Sequence, residues 1–157
     1  MDNVNFARNL VKGKIAETIF AQMLRETKIF TVLDFGYEKI IPEIVQQGYD
    51  PNETVLHMLR SAPDFAVINQ ETRQVHLIEV KYMQYIGQEF VLRYAQKMAK
   101  CWNPSNLFVA TLDGFYFGEI GEIIKNHGDI KPLHHSQIPT DIQSKYLKIL
   151  QDFEGDN

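Results

Sequence analysis

Two carboxylates and a lysine have the types and spacing to share one site. Asp64 follows a proline, while Glu79 and Lys81 are separated by a single residue in an apolar segment. Side chains alternate across a strand, so Glu79 and Lys81 would lie on the same face of it. Carboxylate oxygens are preferred ligands of hard divalent cations, and an adjacent ammonium stabilises developing negative charge. The three residues therefore indicate metal-assisted chemistry if the fold brings Asp64 to Glu79.

The segments around these residues predict that contact. DFAVIN (64–69) and QVHLIEVKYMQ (74–84) read as two strands joined by the polar turn NQETRQ. If the hairpin closes in the middle of that turn, Asp64 faces Glu79 with the side-chain bases about 5 Å apart. The two charges would repel each other beside an apolar core, and a cation bound by both would relieve the repulsion. Taken singly, each fragment is more typical of a turn or a solvated strand end, but their pairing favours the metal site.

Pro63-Asp64 and the later run Glu79-Val80-Lys81 resemble the signature of the PD-(D/E)XK, or restriction-endonuclease-like, nuclease superfamily. The resemblance implies an α/β fold in which helices flank a mixed central β-sheet, with a restriction-endonuclease-like αβββαβ core. The order of predicted helices and strands fits that core. The implied activity is that of a metal-dependent endonuclease, which hydrolyses DNA phosphodiester bonds with a metal-activated water.

The same resemblance implies a role for each site residue. Asp64 and Glu79 would bind Mg²⁺ with the help of the backbone carbonyl of Val80, and Mn²⁺ would substitute for Mg²⁺. Lys81 would orient or help to deprotonate the attacking water and stabilise the charge on phosphorus. The superfamily also commonly contributes an acidic residue from its first helix. In this sequence that residue is Glu17, which is predicted to be catalytic and to bind the metal.

The position of Glu17 gives an independent argument. Residues 5–27 read as a first helix, in which one row combines Glu17 with Phe6, Leu10, Gly13, Phe20 and Leu24. A carboxylate in an apolar stripe is costly unless it has a partner. A metal ion is one such partner, and a structural ion pair with Lys14 or with a distant arginine is the alternative.

Candidate contacts to nucleic acid lie on two helices. The segment GQEFVLRYAQKMAKCW (87–102) has helical spacing, with one row formed by Phe90, Tyr94, Lys97/Met98 and Cys101. On this helix Arg93 and Lys97 are candidate phosphate contacts, as is Lys14 on the first helix. Gln96 stands where several relatives place a polar active-site residue. The alternative for all four is a solvated helix face.

The composition predicts one domain over residues 1–157, ending in an amphipathic helix after Pro139. The net charge of −4 argues against a protein that coats nucleic acid by bulk electrostatics, and it weighs less against a metal enzyme. The single Cys101 excludes an intramolecular disulfide and a CxxC zinc framework. The sequence has neither an apolar run of about 20 residues nor the apolar region of a secretory signal, which predicts a cytoplasmic protein without a membrane segment.

Three functions are compatible with these residues. The leading hypothesis is a Mg²⁺-dependent endonuclease acting on DNA, for which a homodimer would provide two active sites for two strands. The second is a catalytically inactive nuclease-fold module with a binding or regulatory role, which the acidic charge favours. The third is the catalytic subunit of a larger DNA-processing complex, in which a partner protein supplies specificity.

Overall fold

The computed structural model describes residues 2–39, 41–48 and 54–155. Its helices are α1 (Asn3–Glu26), α2 (Ile41–Gln46), α3 (Thr54–Arg60), α4 (Gln88–Ala99), α5 (Ile120–Lys125) and α6 (Thr140–Gly155). Its strands are β1 (Phe30–Asp34), β2 (Phe65–Asn69), β3 (Val75–Tyr82), β4 (Asn106–Ala110), β5 (Phe115–Glu119) and β6 (Lys131–Pro132). A short 3₁₀ helix, Tyr37–Lys39, follows β1.

The six strands form one sheet in the order of the sequence. Neighbouring strands are antiparallel from β1 to β3 and from β4 to β6, whereas β3 and β4 are parallel. A parallel pair needs a crossover connection, which α4 provides here. The predicted mixed α/β architecture, with a central sheet flanked by helices, is confirmed.

The β2–β3 hairpin has the predicted register. Phe65 pairs with Ile78 and Ala66 with Leu77, and the side chain of Asn69 closes the turn by accepting from two backbone amides. Continued by one residue, this ladder places Asp64 opposite Glu79. The register follows from the apolar alternation, because a slip by one residue would turn every buried side chain to the other face.

Helices cover both faces of the sheet. On one face, the second half of α1 and α6 pack on a core that includes Phe20, Val80, Phe108 and Leu150. On the other face, α4 and α5 pack on Leu107 and Val109 of β4. No described helix is long and apolar enough to cross a membrane.

The apolar row predicted for α1 is buried only in part. Phe20 and Leu24 are buried, but Phe6 and Leu10 are 55% and 56% exposed. Every residue from Asp2 to Val11 is exposed, so the sheet covers only the second half of the helix. The helix therefore packs on the core from Ala16 onward, whereas residues 2–11 face solvent.

Of the row predicted for α4, only Met98 is buried. Val91, Ala95 and Met98 face the sheet, whereas Phe90 is 53% exposed and Cys101 is also exposed. Val91 and Ala95 are small and fully buried, which allows the helix to approach Leu107 and Val109 closely. The sequence pattern did not predict α5 or β6. It predicts Asn52 as the N-cap of the helix that ends at Arg60, and Asn52 lies outside the described residues.

The burial of Phe20 gives a test of this core. The Phe20 ring is 1% exposed and lies 5.2 Å from the Phe65 ring and 4.8 Å from the Phe108 ring, between centroids. Phe20→Ala should lower the free energy of unfolding by about 3–5 kcal/mol, because it removes this packing and leaves a cavity. Phe6→Ala, on the exposed part of the same helix, should change it by less than about 0.5 kcal/mol. Urea denaturation of both variants checks the difference, and equal losses would contradict the packing.

Candidate functional site

The site lies where β3 continues past the beginning of β2. β2 begins at Phe65, directly after Asp64, whereas β3 runs on to Tyr82. The backbone of Asp64 is also tied to the segment after β1, because its carbonyl accepts from the amides of Phe35 and Gly36 at 3.0 and 3.2 Å. The backbone of Asp64 is therefore fixed beside the end of β3 that β2 does not pair with.

The Asp64 carboxylate hydrogen-bonds to this unpaired end of β3. The Val80 amide donates to Oδ2 of Asp64 at 2.8 Å, in the place where a further residue of β2 would otherwise accept. The amide and carbonyl of a strand residue point to the same neighbour, so the Val80 carbonyl also faces Asp64. This orientation is the one that a metal-ligating Val80 carbonyl requires.

Glu79 and Lys81 form an ion pair beside Asp64. Lys81 Nζ lies 3.2 Å from Glu79 Oε1, and the two side chains are 34% and 15% exposed, respectively. Lys81 Nζ also lies 4.9 Å from the centre of the Tyr94 ring on α4. The lysine is thus held between β3 and α4 by its carboxylate partner and by the aromatic face.

Glu17 reaches the same region from α1, and the ion pair with Lys14 is present. Lys14 Nζ lies 3.3 Å from Glu17 Oε2 and 2.9 Å from Glu38 Oε2. Glu17 nevertheless lines the same pockets as Asp64 and Glu79. The structure therefore brings together the four predicted catalytic residues, and it adds Glu38 as a second partner for Lys14.

Burial and mutual repulsion perturb the acidic groups. Burial raises the pKa of Glu79 to about 7, and the negative charge of Asp64 adds to this effect while Lys81 opposes it. Burial also raises the pKa of Asp64, although the hydrogen bond from the Val80 amide works to lower it. Burial and the negative charge of Asp64 both raise the pKa of Glu17. Three carboxylates therefore share a region that disfavours their full ionisation.

Lys81 remains a cation in this region. Burial works to lower the pKa of Lys81, but the carboxylates of Glu79 and Asp64 outweigh it, and the pKa is raised overall. At neutral pH the side chain is therefore protonated and carries a positive charge.

Three pockets meet at Glu79. The main cleft, about 560 Å³, lies between α1 and the end of β3 and is lined by residues that include Lys12, Glu17, Asp64, Glu79, Val80, Lys81 and Tyr94. The acidic pocket, about 320 Å³, lies beside the segment after β1, and its charged lining is Lys14, Glu17, Asp34, Glu38, Arg60, Asp64 and Glu79. The basic pocket, about 130 Å³, lies between the end of α3 and α4 and is lined by Arg60, Ser61, Ala62, Glu79, Lys81, Tyr94, Lys97 and Met98.

The predicted nucleic-acid contacts are divided between these pockets and the open surface. Lys14 lines the acidic pocket and Lys97 the basic pocket. Arg93 and Gln96 are exposed on α4 and line none of the three pockets, and Arg93 is paired with Glu89 at 3.2 Å.

Sequence reasoning missed Arg60 and gave Tyr94 no role in the site. Arg60 lines both the acidic and the basic pocket, and Tyr94 lines both the main cleft and the basic pocket. The available signal for Arg60 was its position four residues before Asp64, on a helix that ends just ahead of the site.

The acidic residues fit a divalent metal in their chemistry, but their side chains are turned to other partners. Among the described residues, no three His, Cys, Asp or Glu side chains are arranged to hold a metal ion. Asp64 accepts from Val80, Glu79 pairs with Lys81, and Glu17 pairs with Lys14. The donor set of carboxylates and one carbonyl is nevertheless of the kind that Mg²⁺ takes, and a cation would relieve the shared negative charge. The metal site stays a prediction that requires these side chains to turn.

In comparisons with known proteins, the sequence matches no family model and no curated protein.

The raised pKa of Glu79 predicts a dependence of stability on pH. The pKa is about 7 in the fold against an ordinary value of 4.5, so the folded state binds this proton more tightly than the unfolded state does. The resulting stabilisation is complete below about pH 4.5 and is lost as the pH rises to about 7. On the order of 3 kcal/mol should be lost in this way, in the absence of metal.

Urea denaturation at pH 5 and pH 8 in EDTA measures this loss. Glu79→Gln should show a smaller decrease than the wild type, because glutamine does not titrate. Glu89→Gln is a suitable control, since the Glu89 side chain is 82% exposed, and it should keep the full decrease. The same pH dependence in Glu79→Gln and the wild type would show that Glu79 does not titrate as described.

Proposed function

We propose that this chain is a metal-dependent endonuclease that hydrolyses DNA phosphodiester bonds, built on a restriction-endonuclease-like αβββαβ core. One observation carries the proposal: Glu17, Asp64 and Glu79 line a single cleft, and Lys81 lies at its edge with its ammonium on Glu79. The order α1, β1, β2, β3, α4, β4 supports the core, with α2 and α3 inserted between β1 and β2.

The residues that would hold Mg²⁺, or Mn²⁺ in its place, are Asp64, Glu79, the Val80 carbonyl and Glu17. When bound, the metal would supply a Lewis acid and a water of lowered pKa. Asp64 would be the central ligand of this set, because the hairpin register sets it opposite Glu79 and the Val80 amide holds its carboxylate in place.

Lys81 contributes a fixed positive charge. Since the carboxylates beside it keep it protonated, it stabilises negative charge that develops on the phosphoryl oxygens and does not act as a base. Tyr94 is a positioning residue, because its ring holds the ammonium near Glu79. Of the roles that the resemblance implies for Lys81, orienting the water and stabilising charge are compatible with a protonated side chain, whereas deprotonating the water is not.

In this proposal Lys14 would have different partners without and with the metal. In the structure it pairs with Glu17 and Glu38 at the rim of the acidic pocket. If Glu17 turned toward a cation, Lys14 would keep Glu38 and gain freedom to approach a phosphate of the substrate. The ion pair is thus compatible with both predicted roles, that of Glu17 and that of Lys14.

A second candidate is a nuclease-fold binding or regulatory module without catalysis. The observation that favours it is the internal partner of each carboxylate, since Glu17, Asp64 and Glu79 are each bonded within the chain. A site balanced in this way folds without a metal. The two candidates differ in whether divalent metal binds and whether a strand is cut.

Metal-dependent stability tests the ligand set. Mg²⁺ or Mn²⁺ should raise the unfolding temperature of the wild type, with about 2.7 kcal/mol of stabilisation when the metal is at 100 times its Kd. Asp64→Asn should respond to neither metal. Its metal-free form should be more stable than the wild type, because asparagine accepts from Val80 without adding a charge beside Glu79.

Thermal unfolding with each metal and with EDTA measures these effects. Asp129→Asn is the matched control, since Asp129 pairs with Lys131 outside the three pockets; this variant should keep the wild-type response to metal. If the wild type ignored both metals and Asp64→Asn were less stable than the wild type in EDTA, the proposed metal site would be wrong.

Lys81 tests the chemistry separately from metal binding. Lys81→Met, which keeps an apolar stem against Tyr94, should lower the rate of plasmid nicking by at least about 100-fold. It should keep the stabilisation by Mg²⁺, because Lys81 is not a ligand. Lys125→Met on α5 serves as the surface control. Nicking by Lys81→Met at the wild-type rate would remove Lys81 from the mechanism, and metal binding without nicking by the wild type would favour the inactive module.

A further inference from the structure

We infer that the basic pocket between α3 and α4 binds a phosphate group of the nucleic-acid strand other than the one that is cleaved, with Arg60 and Lys97 as its main contacts. The inference rests on the proposed function, and it assigns a role to Arg60, for which the sequence gave none.

The first argument is the separation of charge between neighbouring pockets. The charged lining of the acidic pocket consists of five carboxylates and two cations. That of the basic pocket consists of three cations, Arg60, Lys81 and Lys97, and one carboxylate, Glu79. Glu79 is itself paired with Lys81. A cation is therefore favoured on one side of Glu79 and an anion on the other.

The second argument is the size of the basic pocket. Its volume is about 130 Å³, which is large enough for a phosphate group. Size alone does not exclude a planar base, and the charged lining of the pocket favours the phosphate. The pocket therefore suits the charged backbone of a strand.

The third argument is that several of its walls are held in place. Trp102 Nε1 donates to Ser61 Oγ at 3.2 Å and to the Met58 carbonyl at 3.1 Å, which ties the end of α3 to the segment after α4. The Arg60 guanidinium lies 5.8 Å from the centre of the Tyr37 ring. An anion would thus enter a pocket whose cationic side chains approach from two helices and one strand.

The chemistry of these cations suits a phosphate. A guanidinium donates two parallel hydrogen bonds to phosphate oxygens, and an ammonium adds a mobile point charge. Arg60 and Glu79 line both the acidic and the basic pocket, so a strand could span them with one phosphate at the carboxylates and the next beside Arg60. The bound group would be either an internal phosphodiester or a terminal phosphate monoester.

Binding of a short single strand to the full chain, in EDTA so that no hydrolysis occurs, tests this inference. Fluorescence anisotropy of an internally labelled oligothymidylate would be measured over a series of KCl concentrations. Arg60→Gln and Lys97→Gln should each weaken binding by about tenfold and reduce the slope of log K against log salt by about 0.7. Arg60→Lys should retain the slope, and the control Lys125→Gln should match the wild type.

Four forms of the strand identify the source of the phosphate. If a terminal monoester is bound, a 5′- or 3′-phosphate should strengthen binding relative to hydroxyl ends, and the two glutamine variants should abolish this gain. If an internal diester is bound, a circular strand should bind as tightly as the linear one and lose the same affinity in the variants. Either result supports the pocket.

The inference fails if Arg60→Gln and Lys97→Gln bind every strand like the control, or if the wild type binds no strand. Cleavage with Mg²⁺ is scored separately from binding. A reduced salt slope in both variants without cleavage by the wild type would retain the phosphate pocket and reject the endonuclease. Cleavage that requires Lys81, with both glutamine variants binding like the control, would retain the endonuclease and reject the pocket.

Discussion

The unequal lengths of β2 and β3 determine which polar groups of this protein meet. β3 extends to Tyr82, whereas β2 begins only after Asp64, so the last residues of β3 have no antiparallel partner strand. The Val80 amide would be unsatisfied there, and an unsatisfied amide at the edge of a core costs about 1–3 kcal/mol. The Asp64 carboxylate satisfies it at 2.8 Å. A requirement of the backbone thus holds a carboxylate directly beside Glu79.

That arrangement creates an electrostatic conflict which the surrounding residues reduce only in part. Glu79 is 15% exposed and has Asp64 as its neighbour, so even its pairing with Lys81 leaves its pKa raised to about 7. Glu17 is paired in the same way with Lys14, one turn earlier on α1. The fold tolerates these charges because each has one partner, and the remaining repulsion is available to favour any ligand that brings positive charge into the cleft.

The sequence was sufficient to predict that Asp64 lies opposite Glu79 but not which residues surround them. Asp64 and Glu79 could be paired because a hairpin with a short turn and regular alternation has one sensible register. The face of α4 could not be chosen, since Phe90 and Tyr94 on one row are as apolar as Val91 and Ala95 on the next. The difference lies in how closely the helix approaches β4, which is a tertiary property. Arg60 reaches the site only through the path of α3.

The contacts of Lys14 show the same limit. Its pairing with Glu17, three residues away, was weighed from the sequence, because residues at that spacing are neighbours on a helix. Its contact with Glu38 depends on where the chain turns after β1, and no local pattern specifies that turn. Local spacing therefore predicted one partner, and the path of the chain supplied the second.

The bridge made by Trp102 gives the protein an optical reporter of its own. It is the only tryptophan in the chain, and its indole is bonded to Ser61, a residue of the basic pocket, while its ring meets the Phe35 ring edge-on at 5.5 Å. The Phe35 amide is in turn one of the two amides that donate to the Asp64 carbonyl. The indole emission therefore comes from a single position near both the acidic and the basic pocket. Structural changes in either pocket are accessible to fluorescence without a label.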